Sequence, residues 1–262
     1  MFIDTHAHLD FPEFKAGVPA ALGRAVDSGV KKIINVGIDI ETSKTSNDLA
    51  RRYPEIYAAI GIHPHSALDL DMDVRPELTK FSANRKVVAI GEIGLDYYYL
   101  KRSSQFAKYP GREEQMFCFE QMLDLALELH LPVIVHSRES DTDTLAIIKS
   151  CAGSLRGVVH CFSGNYDFAK KILDTGFLLS FTGNITYPKN QQIIEVIKKV
   201  PLGSMMIETD CPYLPPESHR GERNEPSYVI EVAKRIAEIK EISLAEVERS
   251  TTKKAESFFR LN

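Results

Sequence analysis

The sequence carries no excess of positive charge: 32 Lys and Arg stand against 36 Asp and Glu, a formal net charge of −4. A protein that coats long nucleic acid needs a broad basic surface. Any contact with nucleic acid is therefore expected to be local, a few phosphates and an end. No apolar run approaches the ~20 residues that span a bilayer. The first residues lack a basic segment followed by an apolar one, so no membrane contact and a cytoplasmic location are expected. The four cysteines, Cys118, Cys151, Cys161 and Cys211, include no Cys-x-x-Cys pair. They read as reduced thiols used in packing. No low-complexity segment or linker divides the chain, and no unpaired apolar patch is evident, so one domain over residues 1–262 and a monomer are expected.

What is present is a soluble globular composition, 44% hydrophobic and 26% charged. Short β-branched runs alternate with helical patterns. After an opening strand, strands are predicted over 32–36, 56–60, 87–90, 132–135, 157–159, 177–181 and 205–207. Helical periodicity fills the intervals, and Pro226 suits the first turn of a late helix. Eight strand–helix units over about 240 residues give the count and size of an α/β (β/α)₈ TIM barrel, with an additional C-terminal helix over 244–259. The stretch 97–111, which opens on Tyr97, Tyr98 and Tyr99, is too long for a simple connector and suggests a functional loop. Asn184-Ile185-Thr186 matches a glycosylation acceptor and is read as chance.

In this architecture, active sites lie at the carboxyl ends of the strands. There the sequence sets His6 and His8, His63 and His65, Glu92, His136, His160, and Glu208 and Asp210, using six of the eight histidines. Strand alternation puts His6 and His8 on one face, with Asp4 one step deeper behind them. The runs Val88-Ile90-Glu92, Ile134-His136 and Val158-His160 read the same way. A polar residue at one strand end is more often an ordinary hydrogen-bonding group; His6 and His8, Glu92, His136, His160 and Asp210, at five ends together, point to metal binding. Four imidazoles and two carboxylates exceed what one tetrahedral ion takes and suit two. Glu92 is the natural bridge, with His6, His8 and Asp210 holding one ion and His136 and His160 the other. Mixed nitrogen and oxygen donors suit zinc, manganese or iron, and magnesium if waters complete its shell. His63 stays open between a supporting group and a phosphate contact, His65 between the site and the surface. His130 and His219 receive no role.

The blocks Asp4-Thr5-His6-Ala7-His8, Gly61-Ile62-His63-Pro64, Gly91-Glu92-Ile93-Gly94-Leu95-Asp96, His136-Ser137-Arg138, His160-Cys161-Phe162-Ser163-Gly164, Glu208-Thr209-Asp210 and Arg220-Gly221-Glu222-Arg223-Asn224-Glu225-Pro226 resemble, in order and over essentially the whole chain, the signature blocks of the TatD family. These are metal-dependent deoxyribonucleases among the amidohydrolase-like barrels. The resemblance implies a two-metal site with His6, His8, Glu92, His136, His160 and Asp210 as ligands. It also implies hydrolysis of DNA phosphodiesters, often from the 3′ end. The stretch 97–111 departs from the family in length and tyrosine content. Two metals can activate a water for attack on phosphorus, with Asp210 orienting it and accepting its proton and Glu92 joining the metals. Arg138, His63 and Arg223 are the candidates for gripping phosphate, and Glu208, like Asp4, for supporting the ligands from behind. Tyr97–Tyr99, Phe162, Tyr187 and Tyr213 follow strand ends, where aromatic faces could stack unpaired bases. With so little positive charge, a single-stranded DNA end is favoured over a duplex body. The alternative is a binuclear hydrolase of another ester or lactone, such as an aminoacyl-nucleic-acid bond. A non-catalytic metal-binding protein is disfavoured, because a structural site needs no open position.

Overall fold

The structure, a computed structural model, describes residues 1–14, 17–70, 74–100 and 109–261. Eight parallel strands follow one another around a single sheet in sequence order: β1 (Phe2–Ala7), β2 (Val30–Val36), β3 (Ile56–Ile60), β4 (Val87–Asp96), β5 (Val133–Arg138), β6 (Gly157–Val159), β7 (Leu178–Phe181) and β8 (Met205–Ile207). Helices cover the outside: α1 (Val18–Asp27), α2 (Ile40–Arg52), α3 (Val74–Ser82), α4 (Arg112–Leu129), α5 (Asp141–Ser150), α6 (Tyr166–Leu173), α7 (Gln191–Lys199) and α8 (Val229–Lys240). The result is the expected (β/α)₈ barrel. The additional helix, α9 (Leu244–Phe259), packs on β1 and β8. Among the described residues no helix is long and apolar enough to cross a membrane.

The core has two parts. The larger lies between sheet and helices. The smaller joins Ile3, Ile34, Val36, Tyr57, Val88, Ile134, Val158 and Met206, on seven of the strands, to Phe258 and Phe259 of α9. It fills one end of the barrel, as layered branched side chains do in this fold. Burying each phenylalanine of α9 stabilises that plug by ~1.5–3 kcal/mol.

Two local features set the other end. β8 is short, and the seam to β1 is completed beyond it. Asp210 N–H donates to the His6 carbonyl and His8 N–H to the Cys211 carbonyl, each at 2.9 Å, with a parallel bridge between Ala7 and Cys211. Closure thus brings the candidate residues of the first and last strands together. In β4, the register with β5 shifts between Ile90 and Ile93. Simple alternation through Val88, Ile90 and Glu92 does not hold: Ile90 packs in the outer layer, and the irregularity alone brings Glu92 to the barrel mouth. Glycine allows the close approach of the two strands. A Cβ on Gly91 would sit 2.6 Å from the Ile134 Cβ, and at Gly94 (φ +136°) it would run into the His136 carbonyl. The helix expected to open at Pro226 begins as a 3-10 turn, Pro226–Tyr228, before α8.

Candidate metal centre

Seven side chains converge at the mouth of the barrel. The His6 and His8 Nε2 atoms lie 3.1 Å apart. They face Glu92 Oε2 at 3.4 and 3.8 Å and Asp210 Oδ1 at 3.7 and 3.5 Å. On the other side, His136 Nδ1 and His160 Nε2 are 3.2 Å apart, each 2.7 Å from Glu92 Oε1. His63 Nε2 approaches the same oxygen at 3.6 Å. The two oxygens of Glu92 therefore address two separate nitrogen pairs. These donor sets fit divalent cations: His6, His8 and Glu92, and His63, Glu92 and His136, each present one ligand atom apiece within 4.8 Å of one another.

Groups behind the rings, a hydrogen bond for His8 and a facing carboxylate for His136 and His160, favour one nitrogen as the lone-pair donor. His8 Nδ1 donates to the Val36 carbonyl at 2.8 Å, leaving Nε2 free. His136 Nε2 faces Asp96 Oδ2 at 3.4 Å, and His160 Nδ1 faces Glu208 Oε1 at 3.4 Å. Both rings therefore turn their other nitrogen to Glu92. His63 differs. Its Nδ1 accepts the His65 N–H at 3.1 Å, so the neutral ring carries its proton on Nε2. With that proton it presents a donor to the pocket, as a phosphate contact would, and only on losing it could Nε2 join Glu92 and His136 around an ion. Glu208 also meets His6 and His160 as a possible ligand group. Its oxygens are already engaged, with the Cys161 N–H and the Ser180 hydroxyl, both at 2.6 Å.

The electrostatics follow from burial of opposite charges. Burial opposes charge on Glu92, yet the facing imidazoles, His160 and His63 foremost, hold its carboxyl well below the usual carboxylate range. Burial pulls His8 down, but Asp210 and Glu92 outweigh it and push the ring up to about 9. His160 rises well above its ordinary value against the same penalty, through Glu92 and Glu208. His6 is lowered by burial and by the neighbouring His160. Asp210 is lowered, because His8 and His6 outweigh its burial.

Several sequence expectations need correction. Asp4 does not orient an imidazole. The register of β1 shifts between Asp4 and Ala7, and the Asp4 carboxyl instead accepts from the N–H and hydroxyl of Thr209 at 2.9 and 2.6 Å and from His6 N–H at 3.3 Å. It ties β1 to the turn that carries Asp210, and burial pushes it up to about 8. Arg223 is not brought to the pocket wall: it donates to the Glu13 carbonyl at 2.6 Å and lies over the Phe14 ring. Phe162 is 2% exposed and stacks on Phe168 in the core. Tyr97 turns to Asp143, and Tyr187 donates to the Pro215 carbonyl beneath Arg220. Cys161, read as packing, reaches the pocket wall, and burial pushes its thiol up to about 12.

Asp96 was given no role from the sequence, and His65 was left open between the site and the surface. Asp96, 1% exposed, accepts from His65 Nε2 at 2.9 Å and lies behind His136. Those imidazoles hold it below the ordinary carboxylate range despite burial. His65 in turn meets the Tyr109 hydroxyl at 2.9 Å. The Gly94-Leu95-Asp96 run at the end of β4 was the available signal, an acid directly after an apolar strand residue.

Around the centre lies a pocket of about 660 Å³, lined by Tyr99, Tyr109, His65 and Arg138 on one side and Phe11, Asn184, Tyr213 and Leu214 on the other. Arg138 lies over the Tyr98 ring at 3.7 Å and 3.9 Å from Asp96. Part of the long tyrosine-rich stretch, residues 101–108, lies outside the described residues.

A family model described as TatD related DNase matches residues 3–260. The uncharacterized metal-dependent hydrolase YabD of Bacillus subtilis is 38% identical over 263 residues, covering 100% of both chains. The uncharacterized metal-dependent hydrolase TatD of Mycobacterium tuberculosis is 31% identical, covering 97% of this chain and 96% of its own. The crystal structure of YjjV, a TatD homolog from Escherichia coli K12, superposes with a TM-score of 0.90 at 33% identity, covering 100% of this chain and 98% of its own.

Proposed function

The chain belongs to the TatD family of metal-dependent hydrolases, and we propose that it hydrolyses DNA phosphodiester bonds as a 3′–5′ exonuclease acting on single-stranded ends. His6, His8, Glu92 and Asp210 would hold one divalent ion and Glu92, His136 and His160 a second, with zinc, manganese or magnesium as candidates. The observation that carries this reading is Glu92, whose two oxygens face two different pairs of imidazole nitrogens. Bound there, such ions polarise a phosphoryl oxygen and ready a water as nucleophile at neutral pH.

The chain's own groups complete the chemistry. Asp210 accepts the proton of the attacking water as its oxygen bonds phosphorus and the sugar oxygen leaves. His63 Nε2–H and the Arg138 guanidinium donate to the phosphate oxygens; stacking on Tyr98 holds Arg138 ready. Asp96 and Glu208 keep His136 and His160 in the ligating tautomer. The pocket volume falls in the ~300–1,000 Å³ range of small-molecule sites. That size, and the net charge of −4, favour a strand end over a duplex body.

The test is metal-stripped protein reloaded with zinc, manganese or magnesium and given single strands labelled at the 5′ end, beside a panel of esters and lactones. The expected result is a metal-dependent ladder shortened from the 3′ end. Ester or lactone turnover with DNA left intact under all three metals would overturn the reading.

A further inference from the structure

The pocket wall is chemically divided. The side built from β3 to β5 carries cations and hydrogen-bond donors: His63, His65, His136 and Arg138. The side built from β7, β8 and β1 carries Phe11, Asn184, Tyr213 and Leu214, with no Lys or Arg among its described lining residues, and it abuts the Asp210 carboxylate. Apart from His8, which faces the centre itself, that side offers a phosphate no cationic side chain among its described lining residues. A neutral, flat, polar-edged group does fit.

Tyr213 is 51% exposed, yet its backbone is tightly held. Its N–H donates to the Asp210 carbonyl at 3.0 Å. The fully buried Asn224 donates to the Tyr213 and Thr209 carbonyls at 2.6 and 2.8 Å. Leu214 follows at φ +52°, and the loop after β7 presses on it so closely that a Cβ on Gly183 would strike the Leu214 carbonyl. An exposed aromatic ring on an immobilised backbone is a preorganised contact surface. Phe11 supports it: its ring stacks on His8 at 4.6 Å and meets Tyr213 edge-on at 6.0 Å. The turn after Phe11 is anchored by Arg223 through the Glu13 carbonyl, which gives Arg223 a place at one remove from the site.

Asn184 lines the same pocket with an incomplete set of partners. Its Oδ1 is buried with no hydrogen-bond partner among the described residues, while Nδ2 approaches Cys161 Sγ at 3.7 Å. A carboxamide offers an acceptor and two donors, and leaving one buried and unmatched is costly. The edge of a nucleobase carries the complementary pair.

We propose that Phe11, Tyr213 and Asn184 form a nucleobase subsite, in which a base next to the scissile phosphate stacks on the Tyr213–Phe11 surface and hydrogen-bonds the Asn184 carboxamide. This rests on the phosphodiesterase reading and adds the residues that recognise the base.

The test uses metal-loaded full-length protein and short single strands whose terminal linkage is a phosphorothioate, ending either in a natural nucleotide or in an abasic tetrahydrofuran nucleotide. Equilibrium binding is measured for each. Wild type is expected to prefer the base-bearing end. Tyr213→Ala should reduce that preference about tenfold; Tyr213→Phe should keep it, because stacking needs no hydroxyl. Asn184→Leu should alter the ranking of the four terminal bases. Equal binding of base-bearing and abasic ends by wild type, or equal weakening of both by Tyr213→Ala, overturns the subsite. Base-dependent binding that Tyr213→Ala abolishes, in a protein that cleaves no ordinary phosphodiester, upholds the subsite and overturns only the nuclease reading.

Discussion

Glu208→Gln isolates the role of a buried acid that touches the centre from behind. The substitution preserves shape and removes one charge. In the native protein Oε1 accepts the Cys161 N–H and faces His160 Nδ1, while Oε2 accepts the Ser180 hydroxyl. An amide has one acceptor oxygen. If it keeps the Cys161 N–H, its NH₂ turns toward Ser180, and His160 loses the negative charge that favours a proton on Nδ1. Removing such a partner lowers metal affinity ~10–100-fold, or ~1.4–2.7 kcal/mol. One unmatched buried donor costs ~1–3 kcal/mol of stability, which for a chain of this size lowers Tm by about 2–10 °C. Calorimetric metal titration and thermal unfolding of the metal-stripped protein read the two effects separately. A variant with lowered Tm but wild-type metal affinity would show that Glu208 serves packing alone and that the tautomer argument for His160 is wrong.

Other outcomes follow from the same geometry. Glu92→Ala should lose bound metal, measured by elemental analysis, and hydrolysis together, while its far-UV circular dichroism stays that of the barrel; full metal content with full activity would remove Glu92 from the bridging position. Gly94→Ala should destabilise the fold by at least ~1–3 kcal/mol in denaturant unfolding, since φ is +136° and the His136 carbonyl occupies the Cβ position; a neutral effect would contradict the described approach of β4 to β5. If two ions bind as proposed, Asp96→Asn should weaken one of the two binding events in a titration and spare the other, because Asp96 lies behind His136. Glu225 gives a pH dependence remote from the centre. Burial opposes its charge, but Arg24 and Ser227 hold its carboxyl below the ordinary range. Its stabilisation is therefore present above the unfolded value of ~4.3 and lost as pH falls through the lower folded value. Glu225→Gln should flatten the loss of Tm below about pH 4.3, and an unaltered acid limb would refute that assignment.

The barrel and the residues at its mouth were legible because both are local patterns. A branched apolar run ending in His or Glu reads as a strand with a polar terminus wherever the rest of the chain goes, and eight strand–helix units in order leave few topologies. The bounds of the last helix were legible for the same reason: Leu244–Phe259 coincides with the range expected from the sequence. Long-range contacts decided the remainder. The partner of Asp4 depends on how β8 closes on β1, and alternation along β1 could not show that its carboxyl reaches Thr209. Glu92 faces inward through an irregularity in β4 that its own residues do not announce. Phe162 and Tyr213 both follow strand ends in sequence, yet one is buried beneath α6 and the other stands exposed beside the pocket. A loop side chain takes its direction from backbone held by residues far away in the chain, as Asn224 holds Tyr213. The sequence by itself determined which chemical groups gather at the barrel mouth, since a polar residue closing a branched apolar run is a short-range pattern. Which oxygen faces which nitrogen, and which wall of the pocket is cationic or aromatic, was decided only by tertiary packing, because those relations join residues that meet nowhere but in the closed barrel.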